Sequence, residues 1–539
     1  MEFYSRISDR FFKSLPINQT FCGLLIISIL WALIYLPNLR TNPKWYGDES
    51  MVLEEAWTLA QGHPRYGPMQ MNFLNPNPHP PVYLLTLAVS MRCFGKDIYA
   101  GRILQALIAL ATAVIIFWVG FQLGGVKFGF LCAAVLLTYP EAATHYRWVR
   151  GHPMQGMFVL ASVGFLIAYI QQHKTCDAVL AGLMCSLAMG AHYFSYPLIG
   201  VVIMTVLIVN RRDVWVSAIA SLAFPLLFLS WFLMVQPGGI YELINQINYA
   251  VQQGFKSVNK NIFHEIWRLY RLLIEFVFLT PTLYKNGTVG VDLWITCSFL
   301  GILLFPFKKF KLWFLFWSFS LMLGVFASRD TVPLFLYQAF GFIPLLAIGL
   351  AGLLLVLGDR IKSYFRTEKQ WPAFLPSFLV LVFTGFISIS GSLGQFQTKI
   401  DRWMIQSWED AESVMDFINK YTASDDYVVM PDQLFWLYRW ERKAQLIHCA
   451  AFNFGIQENI AKNFPYKDYW FNPSVENAKF VILAAGKSSN GKLGIDAIFW
   501  SGYEGVRKVV EKIQTEKWPI TFESGEYIVL KNPKFCSEN

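Results

Sequence analysis

Long apolar stretches without charge recur along this chain, and they restrict its fold more than any other feature. A run of about 18 or more such residues is long enough to span a bilayer as a helix. Runs of this length, or slightly shorter, lie at 21–38, 81–95, 103–122, 127–140, 153–170, 178–193, 195–209, 214–235, 291–306, 312–327, 333–357 and 373–393. Only 15% of the 539 residues are charged, against about 25% in soluble proteins. The pattern specifies a polytopic α-helical membrane protein in contact with the lipid bilayer.

The distribution of basic residues sets an orientation. Arg6, Arg10 and Lys13 precede the first run, which is too long for a signal peptide and reads as an anchor with its start in the cytoplasm. The loop 40–80 is then external. Segment 81–95 returns, placing Arg92, Lys96 and Arg102 inside. Arg211 and Arg212, Lys308 to Lys311, and Arg360 to Lys369 mark further cytoplasmic loops. This assignment requires one run between 103 and 209 not to cross. The weakest is 127–140, which is short and bounded by Gly124-Gly125 and Pro140. The expectation is about 11 or more passes, with the C-terminus outside.

Two regions stand apart from the bundle in 1–398. Residues 237–290 mix charged and apolar positions at helical spacing, as an external amphipathic connection does. From 399 to 539 helix and strand signals alternate: "WEDAESVMDFINKY", "DDYVVMP", "KFVILAA" and "FESGEYIVLKNP". This is the pattern of a soluble, extracytoplasmic α/β domain. The net charge of +9 belongs to cytoplasmic loops rather than to a nucleic-acid surface. Cys22, Cys132, Cys185 and Cys297 lie within apolar runs, which argues against a disulfide framework.

The polar clusters fall on one side of this topology. They are Asp48-Glu49, Asn77 to Pro81 with His79, Arg147 with Arg150 and His152, His192 with Tyr193, His264-Glu265, and Arg329-Asp330. Carboxylates beside cations at a bilayer edge suit a substrate with an anionic head and an apolar tail. Cations hold a phosphate, and a carboxylate takes a proton from an attacking hydroxyl.

The ordered series Asp48-Glu49, His79-Pro80-Pro81, Phe94-Gly95 and Arg102 resembles the amino-terminal motifs of the GT-C glycosyltransferases. Within that superfamily it is most similar in pattern to protein O-mannosyltransferases and lipid A aminoarabinose transferases. "YRWVRGHPMQGMFVLAS" resembles the second external motif, with Arg147 at its Arg and His152 where the family has an acid. "SRDTVPLFLYQAFGFIP" resembles the late loop, with Arg329, Tyr337 and Pro344 at the matching positions. The resemblance implies a GT-C-like bundle that transfers a sugar from a polyprenyl-phosphate donor to an extracytoplasmic hydroxyl acceptor. The transfer is inverting, in a bacterial plasma (inner) membrane. Asp48 is the implied base, with Glu49 beside it. His79, Arg147, Arg150 and Arg329 are the implied phosphate ligands. His152, His192, Tyr193, His264 and Tyr337 are further contacts for substrate or metal. Some relatives bind a divalent metal, and His79 and His264 are available, but their spacing matches no compact metal signature. No cofactor is assigned.

Simpler roles compete for the same residues. Asp48 suits a helix cap. Glu54 and Glu55 suit a solvated helix face, Arg147 and Arg150 suit interfacial cations, and Arg329-Asp330 suits a surface ion pair. The competing function is a transporter or lipid flippase, which calls for ionisable groups at mid-membrane and paired broken helices.

Overall fold

The computed structural model describes residues 17–43, 47–62, 81–192, 195–235, 293–304, 343–365, 371–394, 396, 408–423, 425–437, 443–447, 474–487, 493–498, 504–525 and 527–535. By length and composition, five helices among them can cross a membrane: Ile98–Thr138, Gly151–Gln172, Arg211–Ser230, Ile343–Tyr364 and Ala373–Leu393. Shorter apolar helices accompany them at Phe21–Tyr35, Pro81–Phe94, Thr175–Ala191 and Leu198–Val209. The amphipathic connection expected at 237–290 lies outside the described residues.

The element Ile98–Thr138 is a hairpin of two helices rather than one rod. Gly125 has φ 80° and ψ −175°, a conformation open to glycine and strained for other residues. Gly120 and Gly129 then face each other so closely that a Cβ on Gly120 would stand 2.8 Å from the Gly129 Cα. The Phe117 and Phe130 rings lie 4.6 Å apart, whereas 13 residues of straight helix would separate them by about 20 Å. The second arm is followed by the short helix Pro140–His145. Together they return the chain to the end where the first arm began, with Val149 packed on Gly101.

This geometry corrects two sequence expectations. Segment 127–140 does not dip and retreat. It carries the chain back along the bundle, with the short helix Pro140–His145 extending its reach. Segment 81–95 does not run the length of the bundle. Pro81–Phe94 has 14 residues, about 21 Å of helix, and folds back beside the start of Ile98–Thr138. Ser90 Oγ donates to the Ala100 carbonyl at 2.6 Å, and Gln105 Nε2 donates to the Tyr83 hydroxyl. Its apolar residues Tyr83, Leu84, Leu87 and Met91 are covered by protein. Arg102 therefore lies at the same end as Glu49, not on the opposite face as the sequence count required.

The opposite end is tied by a separate polar knot. Asp213 accepts from Tyr169, Thr175 and Asn210 at 2.8, 2.9 and 3.0 Å. Gln171 reaches the Gln122 carbonyl at 3.2 Å. Lys127, Lys174, Arg211 and Arg212 cluster around this end.

The C-terminal domain is a mixed sheet in the order β2-β1-β3-β6-β5, with β4 on β3. The strands are β1 Tyr427–Met430, β2 Lys443–Leu446, β3 Phe480–Lys487, β4 Leu493–Ile498, β5 Ile520–Ser524 and β6 Tyr527–Lys531. β1 is parallel to β2 and β3, and β6 is antiparallel to β3 and β5. Alternate residues point to opposite faces. Val428, Met430, Ile482 and Val529 meet helix Trp408–Tyr421. Val429, Val481, Leu483 and Ile528 meet helix Glu504–Thr515.

Candidate active site

The site end of the bundle is organised around the helix Gly47–Ala60. The helix starts at Gly47, so Asp48 occupies its first turn rather than the cap position before it, where its charge also favours the helix dipole. Glu49 follows, and its carboxylate is wholly buried. Arg102 Nε and Nη2 grip Glu49 Oε1 and Oε2 at 3.2 and 2.9 Å, with both side chains 0% exposed. The Val149 N–H donates to Glu49 Oε1 at 2.9 Å. Arg102 Nη1 donates to the carbonyls of Leu39, Arg40 and Pro43 at 3.0, 3.3 and 2.8 Å. One buried guanidinium thus joins the end of the first helix, the turn before Asp48 and the start of the hairpin. Bidentate pairing of this kind fixes direction as well as distance.

Glu54 and Glu55, expected on a solvated face, are buried. The reason is that Gly47–Ala60 is covered by Pro81–Phe94 on one flank and by the turn Asp432–Leu437 of the C-terminal domain on another.

Arg147 is also buried, and its fork is engaged by protein. It donates to the Ile34 carbonyl at 3.0 Å, to Ser392 Oγ at 2.9 Å and to the Pro37 carbonyl. Its guanidinium lies 5.4 Å from the Phe396 ring centroid. Burial, then Arg102, push its pKa down to about 9 against an opposing pull from Tyr35, which leaves it cationic at neutral pH. Arg150 stands at the N-cap of Gly151–Gln172. Its guanidinium lies 5.6 Å from the Trp148 ring, and its carbonyl accepts from Gln105 at 2.6 Å. His152 and His192 stack, with ring centroids 4.0 Å apart and planes tilted by 34°. The structure therefore gathers Asp48, Glu49, Arg147, Arg150, His152 and His192 at one end of the bundle. His79, Tyr193, His264, Arg329 and Tyr337 lie outside the described residues. Among the described residues, no group of three His, Cys, Asp or Glu side chains could hold a metal ion.

Residues 78–236, less than a third of the chain, match the family model of dolichyl-phosphate-mannose-protein mannosyltransferases. Among solved structures, ArnT from Cupriavidus metallidurans bound to undecaprenyl phosphate superposes with a TM-score of 0.60 at 13% identity, covering 96% of this chain and 98% of that one. The apo oligosaccharyltransferase of Archaeoglobus fulgidus gives a TM-score of 0.56 at 10% identity, covering 86% of this chain and 69% of that one. The chain thus carries a mannosyltransferase-like segment within a fold that it shares with ArnT. The archaeal oligosaccharyltransferase AglB from Archaeoglobus fulgidus, in complex with an inhibitory peptide and a dolichol-phosphate, matches with a TM-score of 0.53 at 10% identity over 86% of this chain and 69% of that one. No curated protein matches the chain by sequence. At such identities the likeness to solved structures is one of fold, and the chain shares that fold with ArnT over nearly its full length.

Sequence reasoning missed two parts of the site. It named both Glu49 and Arg102 but not their pairing, because the segment count had put them on opposite faces. It also missed Ser50 and Trp436, which join the site helix to the C-terminal domain. The sequence signal available for Arg102 was a lone cation at the start of a long apolar run, where a charge requires a buried partner.

Proposed function

We propose that this GT-C enzyme moves a sugar from a polyprenyl-phosphate donor to an extracytoplasmic hydroxyl by inverting transfer, with Asp48 as the base. The observation that carries this reading is the clamp on Glu49. Arg102 and the Val149 N–H hold the residue next to Asp48 from two directions, so the backbone that presents Asp48 is fixed before substrate arrives. Preorganisation of this kind is what a base needs to meet a hydroxyl proton at hydrogen-bonding distance.

In the proposed step the acceptor O–H proton passes to the Asp48 carboxylate. The acceptor oxygen bonds to the anomeric carbon from the face opposite the phosphate. The anomeric C–O bond breaks, and the polyprenyl phosphate leaves with the bonding pair. The fork of Arg147 is engaged by Ile34, Pro37 and Ser392, which favours a structural role for it, and Arg150 is proposed for the phosphate. His79 and Arg329 are proposed to complete the phosphate site.

The cations Lys127, Lys174, Arg211 and Arg212 support a cytoplasmic position for the far end, and hence an external position for the site. Exchanging 81–95 for 127–140 as a crossing leaves the count at about 11 passes and every later orientation unchanged. A plasma-membrane location follows from the same reading. Asp48→Asn tests the base. Transfer in membranes should fall by about 10²–10⁴-fold with the folded protein retained, and transfer at the native rate would refute the assignment. Mass spectrometry of co-purified lipid should find a polyprenyl phosphate.

A further inference from the structure

We propose that the C-terminal domain is a positioning element of the catalytic helix, acting on Asp48 through Trp436 and Ser50. The inference rests on the reading of Asp48 as base. Its physical ground is that two tryptophans of the domain are packed where the domain's own core is not. Trp408 and Trp436 belong to the apolar cluster of the helical bundle, whereas the two cores on the faces of the sheet do not include them.

Trp436 is 1% exposed. Its backbone N–H donates to Ser50 Oγ at 3.2 Å, and Ser50 is fully buried in the first turn of the helix, two residues after Asp48. Lys96 Nζ lies 5.4 Å from the Trp436 ring centroid. Lys96 belongs to the turn that leads into the helix carrying Arg102. Trp436 therefore meets the two elements joined by the Glu49–Arg102 pair, one through its backbone N–H and the other through its ring. A second fastening lies beside the first. Arg40 Nη2 bonds Glu412 at 3.0 Å and pairs with Asp97 at 3.3 Å, and its guanidinium lies 5.9 Å from the Trp408 ring. The domain is anchored to both the loop before Asp48 and the turn before Arg102.

A hydrogen bond two residues from the base acts on its position. Loss of that bond lets the first turn shift, and a misplacement of about 1 Å costs about 10²-fold in rate. Among the described residues the Trp436 indole Nε1 has no hydrogen-bond partner, so a phenylalanine at 436 keeps an aromatic face for Lys96 and most of the packing, whereas an alanine keeps only the backbone bond to Ser50.

The test uses full-length protein in membranes with undecaprenyl phosphates carrying mannose, glucose or 4-aminoarabinose, and with endogenous acceptors. Whichever donor the native protein uses, Ser50→Ala and Trp436→Ala should lower kcat by about tenfold or more, with the donor KM unchanged within about twofold. Trp436→Phe should keep kcat within about threefold. Thermal unfolding of Ser50→Ala should match the native protein. Native kcat in Ser50→Ala and Trp436→Ala, alongside an inactive Asp48→Asn, overturns the positioning role and leaves the base intact. Native kcat in Asp48→Asn overturns the base and this inference with it. Losses that follow the amount of folded protein, equal in Trp436→Phe and Trp436→Ala, also overturn it.

Discussion

Arg102→Met removes a cation from a fully buried pair and leaves the Glu49 carboxylate in place. The Val149 N–H remains, but the bidentate grip is lost. Breaking a buried pair from one side costs about 3–5 kcal/mol, because a charge stays behind without its counter-charge. Glu49→Gln is the milder cut. It leaves the guanidinium among the carbonyls of Leu39, Arg40 and Pro43, and an altered hydrogen bond to a charged group costs about 1.5–3 kcal/mol. Removing both charges leaves neither stranded. The double variant Glu49→Gln with Arg102→Met should therefore lose less stability than the two single losses summed, by a coupling of roughly 1–3 kcal/mol. The assay is equilibrium unfolding of purified protein in detergent, followed by tryptophan fluorescence, for the native protein and all three variants. Glu49→Gln should lose less stability than Arg102→Met, and the double variant should lie close to Arg102→Met instead of falling below it by the full cost of Glu49→Gln. A double variant whose loss equals the sum of the single losses, with a coupling under about 0.5 kcal/mol, would show that the pair does not hold this end of the bundle.

Impermeant maleimide, applied to variants that each keep one cysteine, should label Cys93 from outside and Cys176 only after permeabilisation. Both are exposed, and they lie at opposite ends of the bundle; labelling of Cys93 only from inside would restore 81–95 as a crossing. Arg147→Lys should destabilise the protein by about 1.5–3 kcal/mol, since one ammonium cannot reproduce the fork on Ile34, Pro37 and Ser392. Unchanged stability with a raised donor KM would instead make Arg147 a phosphate ligand. Gly125→Ala should cost about 1–3 kcal/mol through its positive φ alone, because open space surrounds the added methyl. Gly200→Ala, also in open space but inside a helix, should be neutral or slightly stabilising on the same unfolding assay.

The helical membrane character, the polar end of the bundle and the mixed-sheet domain were legible in the residues, and the reasons differ. Strands such as Tyr427–Met430 and Phe480–Lys487 announce themselves because β-branched residues cluster between turns. The errors at 81–95 and 127–140 were paired. Hydropathy measures what a segment contains, not whether protein or lipid covers it. Pro81–Phe94 is apolar because Tyr83, Leu84 and Met91 pack inside the protein. The arm after Gly125 looked too short because Tyr139 interrupts it before Pro140–His145 continues. One false crossing and one omitted crossing preserve parity, so the positive residues further along could not expose the mistake. The Glu49–Arg102 pair exposed it, and a contact between residues 53 positions apart has no periodicity to reveal it.

The contact between Ser50 and Trp436 also orders events in time. These residues are 386 positions apart, and a ribosome adding about 5–20 residues per second needs on the order of 20–80 s to make the second after the first. Throughout that interval the helix that carries Asp48 exists without its covering turn. The last membrane helix is made before Trp436. A nascent chain therefore makes the helices of its apolar bundle well before the turn that covers the Asp48 helix, and that covering contact is among the last to form.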